Sequence, residues 1–212
     1  MRDIPVFTTE YGVASLILSQ IPYREEGYIH IQSSLEPKLL LEECVQFLTA
    51  CGAVRIYATG KDVPQDLPVY TKLIQMQISR DTLPETDAAL WPVLPENVAQ
   101  WAEIYNQKTV GIPMGAWLTD SKRKELLESG EGYFVHKAGK LLGIGRVSGD
   151  TIHFVASLCP GAGRNVVAAL ARVLSEPVLR LTVASTNQKA LRLYESMGFM
   201  KTCEISTWYC VK

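Results

Sequence analysis

Residues 187–199 read NQKALRLYESMGF. At helical spacing, Ala190, Leu193, Tyr194 and Met197 fall on one face. Lys189 and Arg192 fall on the face expected to be solvated. Gly198 is placed to end the helix in the left-handed region, and Phe199 starts a strand. A tyrosine on a mostly apolar face is ordinarily a core residue whose hydroxyl reaches solvent. Upstream, residues 178–184 (VLRLTVA) alternate as a strand. The stretch therefore reads strand–helix–strand, with the helix expected over 186–197 and two short strands closing the chain.

Working back, residues 160–165 read PGAGRN and lie between an expected strand (151–158) and an expected helix running to about 174. Glycines let a backbone approach a ligand, and a helix start offers unpaired N–H groups and a positive dipole end. This is the composition of a phosphate cradle; it is equally that of a tight turn needing positive φ. Gly161 and Gly163 match the first two glycines of GxGxxG, but Val166 stands where the third belongs. No Lys-Ser/Thr comes after it, so the turn is not a Walker loop.

Residues 151–160 (TIHFVASLCP) have an echo in residues 28–37 (YIHIQSSLEP), with Ile, His, Ser, Leu and Pro identical without a gap. Both are preceded by hairpin-like stretches, VASLILSQI and LLGIGRVSGD, and both lead through an apolar helical stretch into a strand. The pattern is a duplicated strand–strand–helix–strand unit. In the first copy, strands are expected over 5–10, 13–21, 28–34, 54–59 and 72–79, with a helix from Pro37 to about Ala50. Residues 61–71 carry two prolines and hold no helix. Residues 80–89 form a connector, dividing the chain into 1–87 and 88–212. The second copy opens with a strand near 90–94 and a helix from Pro95 bearing Val98, Trp101, Ala102 and Tyr105 on one face. Next come a loop over 106–118 and a helix with Asp120 as N-cap and Gly130 as stop. Strands are then expected over 132–137, 141–148 and 151–158. The fold class is α/β: a mixed, mostly antiparallel sheet flanked by helices.

Composition narrows the function. Of 212 residues, 47% are hydrophobic and 20% charged, which suits a packed globular chain rather than a disordered one. Net charge is −1, so neither nucleic acid nor an anionic membrane is an expected partner. Five cysteines without a CxxC pair, and three histidines, give neither a zinc site nor a disulfide framework. Reduced thiols fit the cytoplasm. No run approaches the length of a membrane helix, and the first residues lack the apolar stretch of a signal peptide.

The segment N-x-x-A-L-x-L-Y-E-S-M-G-F, with the order of elements over residues 88–212, resembles the GNAT superfamily of acyl-CoA-dependent N-acyltransferases. The family's phosphate loop is Q/R-x-x-G-x-G/A; here Leu158-Cys159-Pro160 runs almost directly into Gly161-Ala162-Gly163, so the loop is shorter, and Pro160 and Asn165 replace family positions. Arg164 restores a positive group. The first copy lacks both the glycine turn and the tyrosine helix, so it resembles a truncated GNAT half, and one active unit is expected.

The resemblance implies transfer of an acetyl group from acetyl-CoA to a primary amine on a small molecule or peptide. Strands 151–158 and 178–184 would part to admit the pantetheine arm, and an N–H near Ser157 or Leu158 would polarise the thioester carbonyl. Coenzyme contacts are expected from Gly161, Ala162, Gly163, Arg164, Asn165, Asn187, Ala190 and Tyr194. Tyr194 is the expected acid for the leaving thiolate. His153 is the candidate base, although His30 holds the same place in the copy without the rest of the site, which favours a shared structural role. Glu131 and Glu103 are further base candidates. Met114 and Trp117 mark the loop where the family builds its acceptor site. The alternative is a non-catalytic acyl-CoA-binding or protein-interaction module; a nucleotide-binding oxidoreductase is more distant.

Overall fold

The computed structural model describes residues 5–212. They form two compact units: residues up to Leu73 together with Glu204–Lys212, and Ile74–Cys203. Residues 74–87 thus group with the second unit and the last nine residues with the first. The long strands β5 (Val69–Ser79) and β11 (Met200–Cys210) give one half to each unit.

The first unit contains β1 (Val6–Thr9), β2 (Gly12–Ile17), α1 (Ile21–Arg24), β3 (Glu26–Ser34), α2 (Pro37–Ala50) and β4 (Arg55–Thr59). Its strand order is β1-β2-β3-β4-β11-β5. β3 and β4 run parallel, paired from Glu26–Arg55 to His30–Thr59. Helix α2 forms where expected because Pro37 presets its first turn and Leu40, Leu41, Cys44 and Leu48 repeat at helical spacing. That stripe buries against Leu16, Ile29 and Ile56; each such aliphatic side chain contributes about 1.5–3 kcal/mol. On β3, buried Glu26 is held by Arg24 at 2.7 Å and by the Tyr28 hydroxyl at 2.5 Å.

The second unit contains β6 (Ala89–Pro92), α3 (Val98–Thr109), α4 (Asp120–Ser129), β7 (Gly132–Lys137), β8 (Lys140–Ser148), β9 (Thr151–Ser157), α5 (Gly163–Ala171), β10 (Val178–Ala184) and α6 (Gln188–Met197). Its order is β11-β5-β10-β9-β8-β7-β6. The β6–β7–β8–β9 meander is antiparallel and β9–β10 is parallel. Helix α5 is buried from Val166 through Ala171. It lies close to the sheet because β8 presents glycines: a Cβ on Gly143 would collide with the Ala156 carbonyl and Val166, and one on Gly145 with Leu170.

Several elements differ from the sequence expectation. Residues 13–21 are not one strand: β2 ends at Ile17, and the short α1 starts at Ile21 with Pro22 in its first turn. The N-cap of α4 is Thr119, whose hydroxyl accepts the Lys122 N–H; Asp120 is the first helical residue. Helix α3 continues to Thr109, into the expected loop. The chain closes with one strand, not two, because no Gly, Pro, Asn or Asp interrupts 200–210. Helix α5 stops at Ala171 rather than near 174.

Candidate active site

β9 and β10 pair at Thr151–Arg180 and Ile152–Leu181 and no further, although both strands continue. The ladder on the other side of β9 fixes which backbone groups this parting exposes. Leu158 N–H donates to Leu142 O at 2.8 Å. Pairing then alternates, so Ala156 and Phe154 also bond to β8, while Val155 and Ser157 turn their N–H and C=O away from it. Of the two donors considered from sequence, Leu158 is therefore already engaged and Ser157 is open.

The opening is a cavity of about 680 Å³. Its walls include Val155 to Gly161 from the end of β9 and the turn, Gly163 and Arg164 from α5, and Asn187, Lys189, Ala190, Leu193 and Tyr194 from α6 and its cap. Lys108 and Ile112, from the end of α3 and the loop beyond, complete it. Three cations (Lys108, Arg164 and Lys189) line the cavity, and no carboxylate among the described residues does.

Each glycine of the turn has its own cause. Gly161 has φ +76°, which a side chain would resist. Gly163 has ordinary φ, but a Cβ there would press on Leu193 of α6 at 2.8 Å, so it lets α5 and α6 approach. Ala162 N–H closes the turn on Cys159 O at 3.2 Å. No side chain caps α5, leaving its first N–H groups available. Arg164 donates to Ser196 O at 2.7 Å, which anchors the guanidinium beside the cavity.

Asn187 caps α6, its side-chain oxygen accepting the Ala190 N–H at 3.2 Å. Tyr194 is half-buried on the wall and packs against Phe199 with ring centres 5.7 Å apart. Burial pushes its phenol up to about 12. It is a protonated hydroxyl at neutral pH, with the acid form favoured further.

Not every expected site residue joins this wall. Ala162 and Asn165 do not line it, and Asn165 accepts from the Thr86 hydroxyl at 3.2 Å. His153 is exposed on β9 outside the cavity, with Nε2 2.7 Å from the Ser148 hydroxyl. Glu103 is exposed and accepts from Gln107, and Glu131 pairs with Arg146 at 2.7 Å. Lys108 went unnoticed in the sequence because it sits in a stretch expected to be loop. Lys189 reads as solvated from helical spacing alone; only the position of β9 shows what it faces.

The first unit offers an internal comparison. There Leu35 N–H donates to Tyr11 O, as Leu158 does to Leu142, and Ser34 N–H faces outward, as Ser157 does. Ser34 N–H, however, is taken by the Asp62 carboxylate at 3.1 Å, and neighbouring Val63 is buried in that unit's core. The segment after β4 fills the place that stays open in the second unit.

No family model and no curated protein matches the chain. Solved structures do. A conserved protein of unknown function from Staphylococcus epidermidis is similar over 99% of this chain and 94% of its own, with TM-score 0.62 and 12% identity. A GNAT-family acetyltransferase from Colwellia psychrerythraea is similar over 98% of this chain and 84% of its own, with TM-score 0.53 and 17% identity. A tandem GNAT protein from the clavulanic acid biosynthesis pathway is similar over 98% and 83%, with TM-score 0.50 and 10% identity. The fold is the GNAT fold.

Proposed function

We propose that the second unit is an N-acyltransferase that moves an acetyl group from acetyl-CoA to a primary amine, and that the first unit is a truncated copy of the same fold without a site of its own. The observation that carries this reading is the parting of β9 from β10 beside Ser157, in a cavity whose charged residues are all cationic. A pantetheine arm is a strand-like amide chain, and the outward N–H and C=O groups of Val155 and Ser157 suit it. The polyphosphate end suits Lys108, Arg164 and Lys189 and the uncapped start of α5. The shortened turn supplies fewer N–H groups than the family pattern; Arg164 offsets this with side-chain charge. The tandem neighbour supports the two-copy arrangement.

In this mechanism the Ser157 N–H donates to the thioester oxygen as negative charge develops there. That the matching N–H of Ser34 holds a carboxylate oxygen supports this use. Tyr194 protonates the departing sulfur. The proton leaving the attacking nitrogen restores the phenol, so the tyrosine ends as it began. The test is coenzyme-dependent acylation of a mixed amine library, read by mass. Wild-type protein acylates at least one amine, and Tyr194→Phe lowers kcat by about 100-fold with coenzyme affinity within about twofold. Binding without acylation of any amine makes the protein an acyl-CoA-binding module; no binding overturns the reading.

A further inference from the structure

A side chain helps to shape the short turn between β9 and α5. The Cys159 carbonyl takes two donors: the Ser157 hydroxyl at 2.8 Å and the Ala162 N–H at 3.2 Å. The second bond closes a turn with Pro160 and Gly161 at its centre. Gly161, at φ +76°, gives it the pattern of a type II turn. Cys159 is itself pinned from behind, since its thiol donates to Leu141 O on β8 at 3.5 Å. Ser157, Cys159, Pro160 and Gly161 all line the cavity.

The first unit uses the matching residues differently. Ser34 is the counterpart of Ser157 in the repeat, and Glu36 that of Cys159. The Ser34 hydroxyl donates across to Tyr11 O at 3.1 Å. The Glu36 carbonyl accepts the Leu40 N–H at 3.0 Å, so α2 starts at once. In the second unit the first helical bond, Val166 N–H to Ala162 O, comes three residues later in the aligned repeat. The carbonyl that begins the helix in one copy is thus held by a serine and a turn in the other.

The consequence is electrostatic. A carbonyl oxygen has two lone pairs, and one left open beside an anion repels it at short range. At Cys159 both lone pairs are engaged, which holds this oxygen inside the turn. The amides of Gly163 and Arg164 line the cavity ahead of the helical ladder and suit an anion.

We propose that Ser157 is a positioning residue for the polyphosphate end of acetyl-CoA. Its hydroxyl engages the Cys159 carbonyl and keeps the shortened turn folded with that oxygen away from the anion. This rests on the transferase reading. Ser157 then serves two parts of one ligand: its backbone N–H meets the thioester, and its side chain acts through the turn on the phosphates.

The test is calorimetric titration of the full-length protein with two ligands, acetyl-CoA and S-acetylpantetheine. The second has the same thioester and arm but no phosphate. Ser157→Ala keeps the backbone N–H and frees one lone pair of Cys159 O. It should weaken acetyl-CoA binding about fivefold, the worth of one neutral hydrogen bond, and leave S-acetylpantetheine binding unchanged. The unchanged ligand also shows that the variant is folded. Ser157→Thr, which keeps the hydroxyl, should restore acetyl-CoA affinity. Equal losses for both ligands, or no loss for either, overturn the proposal while the transferase reading stands. No acetyl-CoA binding by wild type overturns the transferase reading and the proposal with it.

Discussion

At the scale of single residues, environment rather than identity separates the chemically similar groups of this chain. Five cysteines are present, all as thiols. Cys44 lies on the buried face of α2, and burial pushes its thiol up to about 11, while Cys51 and Cys203 are exposed. Since only the thiolate reacts, brief iodoacetamide treatment of the native protein at neutral pH should label Cys51 and Cys203 and spare Cys44, as read by peptide mass. Labelling of Cys44 at the same rate would contradict its placement. Glu131 behaves oppositely. Desolvation works against its charge, but the hydrogen bond and charge of Arg146 prevail and hold it below the usual carboxylate range. Its contribution to stability is present above the unfolded value of about 4.3 and is lost as pH falls through the lower folded value. The Tm gap between wild type and Glu131→Gln should therefore be constant from neutral pH down to the unfolded value and close below it. Tyr194 and Asn187 were singled out through the N-x-x-A-L-x-L-Y segment that resembles the GNAT family, and both line the cavity. The loss of Leu158 as a donor was not, because that depends on ladder phase, which one strand's sequence does not carry.

At the scale of elements, the helices with regular apolar stripes and clear stops are legible in the sequence. Pro37–Ala50 starts at its proline, and α4 and α6 end at Gly130 and Gly198, both left-handed. The differences fall where local signals compete. Ile21 falls at the end of the strand expected over 13–21, yet Pro22 favours a helical turn, and the turn wins. Close packing of α5 was also invisible, since nothing in residues 140–148 alone says which neighbours Gly143 and Gly145 meet. That packing positions the start of α5 beside the cavity. Gly143→Ala should consequently destabilise the protein by about 1–3 kcal/mol through its collision with the Ala156 carbonyl and Val166. Urea denaturation checks this; unchanged stability would mean that β8 yields without cost.

For the molecule as a whole, the first unit runs β2–α1–β3–α2–β4 and the second β8–β9–α5–β10, so the two orders agree except for the short α1. The two differ in the segment after the last strand of the repeat. In one, Asp62 and Val63 turn back onto β3; in the other, α6 stands off and leaves Ser157 open. The fold class was legible because strands and helices alternate through both units. The capture of Ser34 by Asp62 was not, because residues 61–71 show no period that would place them. One cavity of this kind should bind one coenzyme. Calorimetric titration of the full-length protein with acetyl-CoA tests this most directly. The account expects one molecule bound per chain, with affinity that falls as salt rises and drops at least tenfold in Arg164→Ala combined with Lys189→Ala. No binding, or undiminished binding by that double variant, would contradict it.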